Sequence, residues 1–192
     1  KETGVRALLG LESNIRGESG LCDLNERDFA QFELFVVGIH VLVNYERIYD
    51  SRLGLGSWAR SQMHIKPSKS LIRQTTNAFI HAVEKNPIDI ISHLNYGCFA
   101  DAVEVAKCCR DYGTYLEISS KKAHLSDDEL AEVANTGVRF VVNSDAHSID
   151  RIGDVARAEE QIRRVGVSLD LIDNIDGKMP SFRLARWRKE HL

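Results

Sequence analysis

The sequence predicts a parallel α/β fold, and three observations carry the prediction. Short, β-rich apolar runs alternate with amphipathic stretches of helical period through the middle and end of the chain. Helix start and stop residues stand where those stretches begin and end. The apolar runs close on acidic or histidine residues, and polar side chains at the carboxyl ends of parallel strands face the active-site side of such a fold.

The clearest run is Val138–His147, VRFVVNSDAH: a strand over Val138–Asn143 that stops abruptly in Asp145 and His147. Fully buried parallel strands read as near-continuous apolar runs of this kind. Upstream, Val5–Asn14 closes on Glu12, Phe35–Val43 carries His40 inside an apolar strand, and Ile88–Asn95 ends near His93. A helix is expected over about Phe99–Tyr112, with Ala102, Val105, Ala106 and Cys109 on one face and Gly113 as its stop. A strand over Thr114–Ile118 follows, then a helix over Asp127–Asn135 opened by Ser126, with Glu129 completing a capping box and Gly137 as a stop. A helix over about Ile152–Val165 turns Val155, Ile162 and Val165 toward the sheet, and a short terminal helix carries Phe182 and Trp187. Another helix is expected over about Ser70–Glu84.

Asp oxygens and His nitrogens suit Zn²⁺, Mn²⁺ or Fe²⁺, and the one-residue gap between Asp145 and His147 lets both lie on one side of an extended chain. A single Asp-x-His also reads as a capping aspartate with an incidental histidine. Four strands that each present such residues argue instead for one shared site, because these side chains are costly to bury singly. Glu117, inside its strand, either orients a ligand histidine or pairs with a buried cation. Ser119 and Ser120 have no evident base, and no catalytic residue is assigned.

With 192 residues, 43% of them hydrophobic, the chain is long enough for one domain with a substantial core. A net charge of −3 and a pI near 6.2 give no field to draw nucleic acid or an anionic membrane, so neither partner is expected. No apolar stretch approaches the roughly 20 residues of a membrane span, and the first residues, KETGVRALLG, lack a signal-peptide cleavage pattern; a cytoplasmic location is expected. The cysteines, Cys22, Cys98, Cys108 and Cys109, have no C-x-x-C spacing and read as reduced; Cys98 reads as a small buried hydrophobe rather than a lining of the site.

Asn44–Pro67 reads as a long irregular connection, of the kind that forms a lid or a binding loop, with Gly54 and Gly56 as hinges. Within it Arg52 and Arg60, flanked by Tyr49 and Trp58, are candidates to hold a phosphate, against the plain alternative of solvated loop arginines. His81, His124 and His191 read as packing or solvent-facing residues; His64 is a candidate acid.

Gly10–Glu12 (GLE), the strand-borne His40, Ile91–His93 (ISH), Leu116–Ile118 (LEI) and Asn143–His147 (NSDAH), in this order and spacing, resemble the PHP family, named for polymerase and histidinol phosphatase. The resemblance covers most of Val5–Val165. It implies a distorted seven-stranded β/α barrel, similar to a TIM barrel, with two or three metal ions at the strand ends and hydrolysis of phosphate esters. By similarity Glu12 matches the bridging carboxylate, His40 and His93 the histidines that share a metal with it, and Asp145 and His147 the last two ligands. The implied metals are Zn, Mn or Fe, up to three, and the implied partner is a small phosphorylated substrate. The family's early His-x-His, a further histidine and an Asp-His pair are not in this sequence, so the resemblance implies that the first strands, roughly 60 residues, are missing from it. Strand edges left open by an incomplete barrel invite self-association into a homo-oligomer. Two alternatives stand beside a phosphatase: a PHP module of a DNA polymerase, acting as exonuclease or platform, and a non-catalytic fragment held together by metal.

Overall fold

The computed structural model describes Gly4 and Arg6–Leu192; Val5, where the opening strand is expected to begin, lies outside the described residues. Five strands, β1 (Gly10–Asn14), β2 (Leu34–Gly38), β3 (Ile90–Ile91), β4 (Tyr115–Ser119) and β5 (Phe140–Asn143), form one sheet in the order β1-β2-β3-β4-β5. Every neighbouring pair is parallel, in registers such as Glu12 opposite Val36 and Glu117 opposite Val141. Right-handed crossovers that always advance in one direction put their helices on one face of the sheet. Here α2 (Lys69–Lys85), α3 (Ala102–Tyr112), α4 (Asp127–Ala134) and α5 (Ala156–Val165) take that place. Phe79, Val105, Leu130 and Ile162 from the four helices join Phe35, Val37, Ile91, Leu116, Ile118 and Phe140 from the strands in the main core. A sheet wound this way is consistent with a barrel-like α/β fold, and β1 and β5 are its two edges. The free side of β5 is masked: the Asn174 amide accepts from Val142 N–H at 2.9 Å and donates to its carbonyl at 2.8 Å, doing what a neighbouring strand would do.

Side chains alternate across a strand, and this sorts the residues of the opposite face. Its lower part is a small apolar layer of Leu34, Val36, Ile90, Tyr115 and Val141, covered by Phe182. One step further along the same side of each strand stand Glu12, Gly38, Ser92, Glu117 and Asn143. The polar residues that broke the apolar runs thus share one face at the carboxyl end of the sheet.

The helix starts and stops follow local chemistry. Ser126 and Glu129 make the expected capping box, Asp101 caps α3 by accepting from Glu104 N–H, and Gly113 ends α3 with a left-handed φ of 75°. The long connection departs from expectation. Residues 48–52 form a 3₁₀ turn, and Leu55–Gln62 form a two-turn helix, α1. With one glycine inside it, another just before it and few apolar residues, α1 has a weak periodic signal and is held by packing. Gly54 is not a hinge: a Cβ there would lie 2.2 Å from the His40 carbonyl oxygen and 2.4 Å from the Tyr45 hydroxyl, so glycine permits a close approach. The strand expected over Phe35–Val43 ends at Gly38, and that over Ile88–Leu94 shrinks to Ile90–Ile91, leaving His40 and His93 just beyond strand ends. No helix among the described residues is long and apolar enough to cross a membrane.

The terminal helix α6 (Arg183–His191) docks through a residue 95 positions away. Asp89, fully buried, accepts from Leu184 N–H at 3.0 Å in the first turn of α6 and from Phe35 N–H at 2.8 Å. Burial pushes its carboxyl up to about 6 against these hydrogen bonds and the Arg183 charge. The folded pKa lies above the ordinary value of 3.8, so the fold holds the proton more tightly, and ionisation removes stability as pH rises from about 4 through 6. Measured by urea unfolding, the stability of the wild type relative to Asp89→Asn should rise on the order of 2–3 kcal/mol between pH 7 and pH 4.

Candidate metal centre

Three segments bring three ligand-type side chains together: Glu12 from β1, His40 two residues past β2, and His93 two residues past β3. Their ligand atoms all lie within 4.8 Å of one another. His93 Nε2 is 2.9 Å and His40 Nε2 3.5 Å from Glu12 Oε1, and the two Nε2 atoms are 3.1 Å apart. At Zn–N and Zn–O lengths of about 2.0–2.1 Å, neighbouring ligands of a tetrahedral ion stand roughly 3.3 Å apart. The donor set and its spacing therefore fit a divalent ion.

Each ligand is held by a partner. Asn14, two residues after Glu12 on the same side of β1, places its Oδ1 at 2.7 Å from His40 Nδ1; the Nδ1–H tautomer donates to it and leaves Nε2 as the free lone pair. The Ser92 hydroxyl donates to Glu12 Oε1 at 2.7 Å. His93 has a left-handed φ of 34°, and its backbone N–H donates to Glu117 Oε2 at 2.8 Å while Asn143 donates to Glu117 Oε1 at 3.2 Å. Glu117 thus orients His93 through its backbone and, among the described residues, has no lysine or arginine partner. Gly38 makes the room. A Cβ there would lie 2.7 Å from His93 Cε1, 2.8 Å from Ser92 Oγ and 3.2 Å from His40 Cε1.

The electrostatics match these contacts. The His40 and His93 imidazoles beside it hold the Glu12 carboxyl well below the usual carboxylate range, against its burial. Burial pushes the His93 imidazolium down, but the hydrogen bond and charge of Glu12, with the charge of Glu117, raise it above its ordinary value overall. Burial lifts Glu117.

A cavity of about 380 Å³ opens beside the cluster, lined by His40, Trp58, Gln62, Tyr96, Lys122 and His124, among others. The His124 ring lies 5.7 Å from His93 and 5.0 Å from Tyr96, centre to centre. Burial, then the charges of His93 and Lys122, depress it to about 4, and the ring packs in the wall of the cavity.

Asp145 and His147 stand apart from the three-residue cluster. Lys121 Nζ lies 3.0 Å from Asp145 Oδ2 and 3.2 Å from His147 Nε2, and His147 Nδ1 is 3.5 Å from Asp145 Oδ1. The five expected ligands are therefore arranged as three together and two around a lysine ammonium. Arg52 and Arg60 do not face the cluster. They line a separate cavity of about 290 Å³ with Met63, Ile65 and Leu71, and Arg52 lies over the Tyr49 ring at 4.8 Å. The cation that does line the cavity at the cluster is Lys122. Ser119 and Ser120 accept from the backbone N–H groups of Lys121 and Arg157, and Cys98 is buried.

The fold and the site define an α/β protein with a one-way parallel sheet whose Glu/His/His cluster is able to hold a metal ion. No family model matches the chain. It is similar to a probable phosphatase of Thermoanaerobacter sp. (strain X514), with 27% identity over 201 residues, 98% of this chain and 72% of that protein. Probable phosphatases of Caldanaerobacter subterraneus subsp. tengcongensis and Shewanella frigidimarina are 26% and 25% identical, over 85% and 97% of this chain. The chain spans 58% and 70% of the length of those two relatives.

Proposed function

We propose that this chain carries the metal centre of a PHP-type phosphatase that hydrolyses small phosphomonoesters with Zn, Mn or Fe. The observation that carries the reading is the convergence of Glu12 Oε1 with the Nε2 atoms of His40 and His93, and relatives named as probable phosphatases support it. Those three atoms would hold the ion, which supplies Lewis acidity toward a phosphoryl oxygen and acidifies water. Asn14 keeps the His40 tautomer that offers Nε2, Ser92 and Glu117 fix Glu12 and His93, and Lys122 gives the cavity a positive charge for a phosphate. Trp58 and Tyr96 flank the space left for the leaving group.

One observation favours a second reading, a non-catalytic metal-stabilised domain: Asp145 and His147 lie against Lys121 and are not part of the three-residue cluster. A polymerase-associated module is less well supported, since the net charge of −3 offers no general field for nucleic acid. Elemental analysis of protein purified without chelator, paired with turnover of an aryl phosphate, separates these readings. Bound transition metal with turnover that EDTA abolishes supports the phosphatase. One equivalent of metal without turnover supports the structural role, and no metal at all would end both.

A further inference from the structure

The stretch between Asp50 and Glu84 contains no acidic residue, yet it carries Arg52, Arg60, Lys66, Lys69 and Arg73 in a chain whose net charge is −3. Among the described residues, none of these five cations pairs with a carboxylate. The same stretch shows large apolar side chains to solvent: Met63 is 60% and Ile65 45% exposed. Uncompensated positive charge beside exposed apolar surface is the signature of a surface that takes an anionic, partly apolar ligand.

Two of the cations share a cavity. Arg52 and Arg60, both half-buried, line a space of about 290 Å³ with Ala59, Met63, Ile65 and Leu71, and no acidic side chain lines it. Arg52 is held in place, its Nη1 donating to the Tyr49 hydroxyl and its guanidinium lying over that ring. The Arg60 guanidinium makes no hydrogen bond or ion pair among the described residues. A guanidinium cannot shed its proton to relieve such a position, and its planar fork matches a carboxylate or phosphate group. At about 30 Å³ for each water-sized group, the cavity has room for roughly ten non-hydrogen atoms.

We propose that the Arg52/Arg60 cavity binds a small amphipathic oxyanion, a carboxylate or phosphate-type group on an apolar chain of about eight carbons, at a site separate from the Glu12/His40/His93 centre. The two arginines take the anion, and Met63, Ile65 and Leu71 take the chain. Helix α1 joins the two places: Gly56, Ala59 and Arg60 line this cavity, while Trp58, Ser61 and Gln62 line the one at the cluster. An occupant would therefore fix the helix that walls the metal site.

The test is calorimetric titration of the wild type, His93→Ala, Arg60→Gln and Met63→Glu with octanoate, non-hydrolysable octylphosphonate, octanol and acetate. Arg60 has no partner to lose and Met63 is exposed, so both variants should fold, with a thermal unfolding curve close to wild type as the check. The expected result is one octanoate or octylphosphonate per chain in wild type and in His93→Ala, with a Kd of about 1 mM or tighter. The tighter of the two names the anion. Binding should be at least about tenfold weaker in Arg60→Gln and Met63→Glu, and equally weak for octanol, which lacks the charge, and acetate, which lacks the chain. No saturable binding of either anion, or binding kept in both folded variants, would overturn the proposal. Binding to phosphatidylglycerol vesicles with no free anion bound would overturn it in favour of a membrane contact. Loss of binding in His93→Ala would place the ligand on the metal centre and overturn it too, so failure here stays distinct from failure of the phosphatase reading.

Discussion

His93→Ala is expected to remove about one equivalent of transition metal per chain and to lower aryl-phosphate turnover by at least about 10³-fold, roughly 4 kcal/mol of transition-state stabilisation. The imidazole is central to the cluster: its Nε2 lies 2.9 Å from Glu12 Oε1 and 3.1 Å from His40 Nε2, so its removal leaves one carboxylate and one imidazole. Two ligands hold a divalent ion far more weakly than three in a fixed geometry. The fold should survive, because the main core comprises other side chains. Circular dichroism and a urea midpoint close to wild type would show this. Retained metal and turnover in a folded His93→Ala protein would refute the assignment of the centre.

Gly38→Ala should be nearly as damaging, though the added methyl touches no reactive group. In an open strand this change stabilises by roughly 0.5–1 kcal/mol, since glycine has the greater entropy to lose. Here the methyl would stand 2.7 Å from His93 Cε1 and 2.8 Å from Ser92 Oγ, well inside van der Waals contact. β2 is paired on both sides, with β1 and β3, and has no room to retreat. The imidazole and the hydroxyl that orients Glu12 must move instead. A displacement near 1 Å at a catalytic group costs on the order of 10²-fold in rate, and overpacking costs about 1–3 kcal/mol of stability. Gly56→Ala, in α1, is the control: its nearest neighbour would be Arg52 Cβ of the preceding turn at 3.5 Å, so stability should hold or rise. Equal effects of the two substitutions would show that Gly38 has no special part in the site.

Much of this molecule is legible in the residues. Glycine and serine caps act through their own turn, so the limits of α3 and α4 follow from Gly113, Ser126 and Glu129. The apolar runs around Leu11, Phe35 and Ile90 contain strands, and the polar residues that close them, Glu12, His40 and His93, lie together. Other features have no local signal. The α1 helix is short and glycine-containing, and was legible only as irregular chain; Asn14 and Ser92 look like ordinary strand polars until their partners 26 and 80 residues away are in place. His124, close to two lysines, reads by sequence as packing or solvent-facing; it packs, and its neighbours His93 and Tyr96 have no local signal.

Strand-helix alternation, capped helix ends and the identity of the ligand-type residues can be read along the chain, because periodicity and capping depend on neighbours within a turn or two. Which of those residues meet is set in three dimensions. Glu12, His40 and His93 come together because three parallel strands in register bring their carboxyl ends side by side, whereas Asp145 and His147 lie against Lys121. Distances between such residues depend on strand order, on register and on the space left at Gly38, and none of these is encoded in any single stretch of chain.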